Sequence, residues 1–197
     1  MCKKSKKNLL ISGIVVVLLV FLDQITKWLA VYFLKGKAPV PIIKDVFELQ
    51  YLENQSAAFG TDPISILHRI FSFDIFNQNP QLFLTVKMIF FIIITIAIIV
   101  LFIIAYIRIP ESKRLRYIDY ILIFFVSGAI GNFIDRLCNN YVVDFFYFKL
   151  IDFPIFNVAD IYVTVAALVM VVLLLFYYKD EDIEVIIPFK SKEAKKQ

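Results

Sequence analysis

The sequence predicts an all-α integral membrane protein: four transmembrane helices, with a hydrophilic connection that carries short strands and a short amphipathic surface helix. Of its 197 residues, 60% are hydrophobic and 16% aromatic, with only 5 glycines, a composition far from that of a soluble globular domain. The apolar residues are gathered into four long runs, each of about the length that crosses a hydrocarbon core of about 30 Å. Basic residues crowd the N-terminus, the link between the second and third runs, and the C-terminal tail, which places them all on one side of a four-span protein.

The chain opens with Lys3, Lys4, Lys6 and Lys7, then runs apolar from Leu9 to Leu22 and, after an interruption, on to Leu34. A basic start before an apolar run resembles a secretion signal. The run is long for one, however, and no small-residue cleavage site follows it, so a retained first span is expected. The interruption reads Asp23-Gln24-Ile25-Thr26-Lys27-Trp28, with Asp23 and Lys27 one helical turn apart on one face. Lys27 is expected to snorkel and Trp28 to anchor at the interface. That reading leaves Asp23 unexplained, since an acid in an apolar helix is costly, and it stands as a functional candidate.

Between Lys35 and Leu82 the chain is hydrophilic. Val40 to Leu52 alternates and is rich in Val, Ile, Phe and Tyr, predicting short strands, with Pro39 and Pro41 favouring an edge position. Glu53-Asn54-Gln55-Ser56-Ala57-Ala58-Phe59-Gly60 follows, small residues beside an amide that let a backbone approach a ligand. Ile64 to Phe76 predicts a short amphipathic helix on the membrane surface. It carries His68, the single histidine, which by itself cannot build a multi-histidine metal site.

The second span is predicted at Phe83 to Ile107, with Lys87 snorkelling near its start. Arg108, Lys113, Arg114 and Arg116 crowd the next link against a single Glu111. The third span runs from about Tyr117 to the polar face at Asn132 to Arg136, and the fourth from Phe156 to Tyr178. The tail from Lys179 to Gln197 is charged with both signs and expected to be mobile. This divides the chain into one transmembrane domain, residues 1–180, and a charged cytoplasmic tail, 181–197. Cys2 and Cys138 fall at opposite sides of the membrane and cannot pair.

By the positive-inside rule both termini are cytoplasmic, and the 35–82 connection and the loop carrying Asp144 face outward. At 1.5 Å per residue, Asp23 then lies about 23 Å above Asn8, Asn132 about 24 Å above Arg116, and Asp160 about 27 Å above Tyr178. Polar residues from three helices thus reach one outer level, where Asn54 and Asp144 join them from the loops.

The most polar stretch of the membrane-spanning region runs from Ser127 to Thr164. Asn132, Asp135 and Arg136 are spaced i, i+3, i+4 and share a helix face, as do Asn157 and Asp160, and the two faces flank Asp144. No His-Glu-x-x-His motif favours zinc, and a serine nucleophile would need a base beside it. Two carboxyls suffice for peptide hydrolysis, because held close they cannot both ionise: one stays protonated while the other activates water. Asp144 and Asp160 are best placed for this, whereas Asp135 beside Arg136 reads as an ion pair that orients the scaffold. A presenilin-type protease would need a Gly-x-Gly-Asp motif, which the sequence lacks. A proton-coupled transporter would carry its acids near the midplane between repeated halves, and no internal repeat is visible.

Taken together, Asp23 to Lys27, Asn54 to Phe59, Gly131 to Arg136, Val142-Val143-Asp144-Phe145 and Phe156-Asn157-Val158-Ala159-Asp160 resemble the motifs of lipoprotein signal peptidase, or signal peptidase II. The resemblance covers the chain from the first span to the fourth. It implies a bacterial aspartic protease of the cytoplasmic (inner) membrane that cuts a signal peptide just before a diacylglyceryl-modified cysteine, acts without cofactor or metal, and is inhibited by globomycin. Carried over by position, Asp144 and Asp160 are the catalytic pair. Asp23, Asn54, Asn132, Arg136 and Asn157 are the substrate-binding or supporting residues, and Asp135 stabilises the fold. A small extracytoplasmic β-sheet cradle is also implied. The expected partners are lipid-modified prolipoproteins and membrane lipid, with no nucleic acid, and the expected state is a monomer. Three departures are local: Ser56 and Asn140 stand where the family usually has glycine, and the Gly60 to Pro80 segment is long. Asn140 is expected to keep its turn, because asparagine tolerates the left-handed conformation.

Overall fold

The computed structural model describes residues 4–56 and 63–186. Its elements in order are α1 (Lys6–Leu34), β1 (Val40–Ile43), β2 (Phe47–Asn54), α2 (Pro63–Phe71), α3 (Asp74–Gln78), α4 (Pro80–Arg108), α5 (Arg116–Asn139), β3 (Val142–Tyr147), α6 (Val158–Phe176) and α7 (Asp180–Ile186). Helices α1, α4, α5 and α6 are long and apolar enough to cross a membrane, one for each predicted span. The protein is a multi-pass membrane protein.

Helix α5 is the centre of the bundle and packs against α1, α4 and α6. It is the least apolar of the four and the most enclosed, whereas α1, α4 and α6 turn Val17, Phe21, Ile93, Leu101, Leu168 and Leu175 outward. Apolar side chains on an outer face cost nothing where the surroundings are lipid, so helix packing relies on small residues and close approach. Gly128 and Gly131 of α5 provide that approach. A Cβ at Gly128 would lie 2.6 Å from the Ala159 carbonyl oxygen, and one at Gly131 would overlap Asp23 Oδ2.

The strands form one antiparallel sheet, ordered β1-β2-β3, with Leu52 opposite Asp144 and Asn54 opposite Val142. This is the small sheet that the resemblance implies, and it reaches past the predicted strands. β3 begins with the Val142–Phe145 motif, whose residues are all buried, and Val143 and Phe145 cluster with Ala30 and Leu34 of α1. Asn140 does keep the turn between α5 and β3: it is left-handed at φ +63°, and its N–H donates to the Arg136 carbonyl.

Three expectations are corrected. The surface helix is broken in two at Ser72, whose φ is +45°. His68 packs between the two pieces and α4, against the rings of Phe73, Phe76 and Phe83. Lys87 does not snorkel: it is buried on α4, with Nζ 3.4 Å from Ser56 Oγ and 3.5 Å from Ser65 Oγ. The first residues of the tail are ordered, since α7 spans the 180/181 boundary, Arg114 Nε pairs with Asp182 Oδ2 at 2.6 Å, and Ile183 and Ile186 pack on the core. The rest of the tail from 187, Cys2, and Ala57 to Phe59 lie outside the described residues.

Candidate active site

The carboxylates are placed by backbone events that the sequence dictates locally. Asp160 sits in the first turn of α6, where Asn157 is the N-cap: Asn157 Oδ1 accepts from Asp160 N–H at 3.0 Å, and Asp160 Oδ2 accepts from Asn157 N–H at 3.1 Å. This reciprocal box satisfies two of the donors that a helix start leaves free. Asp144 is fixed by β3, whose pairing with β2 brings the Asn54 amide to it.

Both acids line a cleft of about 770 Å³, together with Asn54, Ser56, Asn132 and Arg136. The rest of its wall is mostly apolar, from Phe148, Ile151, Phe153 and Phe156 beside the sheet to Ile161 and Val165 on α6. Asp144 accepts from Asn54 Nδ2 at 2.8 Å and from Asn157 Nδ2 at 2.6 Å. Asp160 Oδ1 accepts from Asn132 Nδ2 at 2.8 Å. The amides are chained in turn, since Asn157 Nδ2 also donates to Asn132 Oδ1 at 3.1 Å. Asp144 is 1% exposed, whereas Asp160 is half-buried. Burial is the main cause that pushes the Asp144 carboxyl up to about 7. The neighbouring charge of Asp160 adds to it, against the lowering effect of the Asn54 and Asn157 hydrogen bonds and of Lys27.

Of the eight residues singled out in the sequence, Asn54, Asn132, Arg136, Asp144 and Asp160 line the cleft, and Asn157 ties its two acids together from beneath. Arg136 lies with its guanidinium 4.9 Å above the Phe91 ring and donates to the Asn132 carbonyl at 3.4 Å. Asp23 and Asp135 stand behind the cleft, and the structure changes the partner expected for Asp135. Asp23 is wholly buried, and its Oδ1 accepts from Ala159 N–H at 2.9 Å, which pins α1 to the start of α6. Asp135 pairs with Lys27 at 3.1 Å and not with Arg136, and it also accepts from Val143 N–H at 3.0 Å and Gln24 Nε2 at 3.1 Å. Adjacent residues on a helix point about 100° apart, which turns Asp135 toward α1 and β3 while Arg136 faces the cleft.

The corresponding correction falls on Lys27. It is only 2% exposed, bonded to Asp23 Oδ2 at 3.0 Å, Asp135 Oδ2 at 3.1 Å and Asn132 Oδ1 at 2.9 Å. An ammonium with three such acceptors has no reason to reach for the interface. Gln24 was missed as well: its Nε2 donates to the Asp23 and Asp135 carboxylates and to the Gly131 carbonyl. The signal for both was the i, i+4 acid–base pair in an apolar run, a pattern that fits a buried ion pair as well as an interface. Among the described residues, no group of three or more His, Cys, Asp and Glu side chains comes together as a metal-holding cluster.

Comparison with known proteins identifies the family. The model of the signal peptidase (SPase) II family matches residues 15–176. The chain is 38% identical to the lipoprotein signal peptidase of Caldanaerobacter subterraneus subsp. tengcongensis over 83% of its own length and 94% of the relative's. It is 38% identical to that of Brevibacillus brevis over 77% and 86%, and 36% identical to that of Streptococcus pyogenes over 90% and 97%. Two solved bacterial membrane enzyme structures, determined by the in meso method at 2.3 and 1.9 Å, superpose with TM-scores of 0.67 and 0.66 at 28% and 27% identity. They cover 89% and 90% of this chain, and 92% and 99% of their own. With four spans, a small antiparallel sheet and a family match across most of its length, the chain belongs to the signal peptidase II family of membrane peptidases.

Proposed function

We propose that this protein is an aspartic endopeptidase that removes the signal peptide from diacylglyceryl-modified prolipoproteins, cutting just before the lipidated cysteine. The observation that carries the reading is the single cleft shared by Asp144 and Asp160, with each carboxylate held by asparagine amides and one wall apolar enough for lipid.

The two acids have different surroundings, and we assign them different roles. Asp144 is enclosed, and burial pushes its carboxyl up to about 7, so we give it the shared proton. Asp160 is open to the cleft, which it lines from the first turn of α6. The Asp160 carboxylate takes a proton from water, whose oxygen attacks the scissile carbonyl carbon. Asp144 gives its proton to the carbonyl oxygen. Collapse of the resulting diol returns a hydroxyl proton to Asp144, breaks the C–N bond, and passes the Asp160 proton to the leaving amine. Both acids end as they began.

The apolar wall from Phe148 to Val165 is suited to the diacylglyceryl chains and the signal-peptide helix, and Arg136 is placed to donate to a substrate carbonyl. The same reading sets the enzyme in the bacterial cytoplasmic membrane as a monomer, with both termini cytoplasmic and the site near the outer leaflet, globomycin-sensitive and free of metal. Purified protein in detergent, incubated with a diacylglyceryl-modified precursor, should release the signal peptide, with and without a chelator. It should leave the unmodified precursor whole. Equal cleavage of both precursors would refute the lipid-dependent specificity.

A further inference from the structure

Each of the three asparagines that grip the catalytic acids is oriented by a donor at its amide oxygen. For Asn54 the donor is the Ser56 N–H at 2.8 Å, and for Asn157 it is the Asp160 N–H at 3.0 Å. A backbone N–H cannot accept, so these amides must turn their NH₂ ends to the carboxylates. Among the described residues, no backbone donor does this for Asn132. Its Oδ1 accepts from Lys27 Nζ at 2.9 Å and from Asn157 Nδ2 at 3.1 Å, and its Nδ2 reaches Asp160 Oδ1 at 2.8 Å. An ammonium is donor-only, so it admits only the carbonyl end of the amide.

Building on the dyad reading, we infer that Lys27 is a positioning residue for peptide cleavage: from outside the cleft it holds the Asn132 amide with its NH₂ on Asp160 while Asp23 and Asp135 hold Lys27. Three acceptors for three N–H bonds leave Lys27 one orientation, and through Asn132 that constraint reaches Asp160. Its charge acts on Asp144 as well. The charged groups around Asp144 are Asp23 and Lys27 of α1, Asp135 and Arg136 of α5, and Asp160 of α6, while β2 presents the neutral Asn54 amide. Lys27 favours the ionised form of Asp144, so its removal raises the pH at which Asp144 gives up its proton.

The test must separate this role from that of an ion pair that merely holds helices together. Lys27→Met alone strands two buried carboxylates, so it is combined with Asp23→Asn. The parent cluster has two carboxylates and one ammonium, the double variant one carboxylate and no ammonium, and the net charge is minus one in both. Asp23→Asn alone serves as the comparator. In detergent with a lipidated precursor, the double variant should show kcat about 10- to 100-fold below the comparator with KM within about threefold, and its pH–kcat bell displaced to higher pH. Asp23→Asn with Lys27→Gln keeps an amide donor for Asn132 but no charge; it should recover most of kcat and still show the displaced bell. It carries the test if the methionine variant does not fold. A folded variant of either kind whose bell coincides with the comparator's overturns the inference, as does a change in KM alone. Asp144→Asn assayed alongside identifies which idea fails: if it still cleaves, the dyad reading falls, whereas if it is inactive and the bell is unmoved, only the role of Lys27 falls.

Discussion

Gly131→Ala adds one methyl group at the point where α1, α5 and α6 meet. The added Cβ would overlap Asp23 Oδ2 and lie 3.0 Å from Asp23 Cγ and 3.2 Å from Ala159 Cβ. Asp23 cannot swing aside, because it is wholly buried with one oxygen on Lys27 and the other on Ala159 N–H. The helices must therefore separate. Overpacking of this kind costs about 1 to 3 kcal/mol. If Ala159 N–H loses its acceptor, the unpaired buried donor adds about 1 to 3 kcal/mol. Asp160 follows Ala159 directly, and a displacement of about 1 Å in a reacting group costs about a hundredfold in rate. The assay pairs denaturation in detergent with single-turnover cleavage, using Gly13→Ala as the control, since a Cβ at Gly13 meets nothing within 4 Å. If Gly131→Ala were as stable and as fast as Gly13→Ala, the three-helix contact described here would be wrong.

Other perturbations probe separate parts of the account. Asp135→Asn removes one of the two carboxylates on Lys27 and should lower the amount of folded protein more than the activity per molecule, as read by quantitative blotting against specific activity. Equal losses in both would place Asp135 in the chemistry. Cleavage should fall as pH rises through about 7, because Asp144 then loses the proton it donates, and a rate still climbing above about pH 8 would contradict that assignment. In a background without Cys2 and Cys138, cysteines at Ser112 or Ser191 should resist an impermeant thiol reagent in intact cells while one at Thr61 reacts. The opposite pattern would put Asp144 in the cytoplasm.

The spans were legible in the sequence because long apolar runs have few alternatives, and their ends shifted by only a few residues. The shared level of Asp23, Asn132 and Asp160 was legible too, since helix rise sets their depth, and the short loop after the third span carries Asp144 to it. What the chain does not display is partnership. Asp135 stands beside Arg136 in sequence yet serves Lys27, a choice made by the packing of α1 on α5. Lys27 and Lys87 both look like snorkelling residues until a neighbouring helix closes over them. β3 went unread because a short apolar run ending in aromatics fits a strand or a buried helix equally well, and only its long-range pairing with β2 decides. The break at Ser72 lies beside an aromatic cluster in which His68 meets Phe83 of α4, a contact between segments that the sequence does not display.

The dyad is tested most directly by Asp144→Asn and Asp160→Asn, each purified, shown to be folded, and assayed on a lipidated precursor. Asn at 160 can still accept from the Asn157 N–H and keep the helix cap, and neither Asn ionises; because one oxygen that accepts from an asparagine NH₂ becomes a donor at each position, the folding of each variant is measured alongside its rate. Each should lose about 10²- to 10⁴-fold in rate. The double substitution should be little worse than either single one, because the two acids act as a unit. In cells, lipidated uncleaved precursor should accumulate at unchanged enzyme level. Near-parental cleavage by either folded variant would contradict the assignment of Asp144 and Asp160 as the catalytic pair.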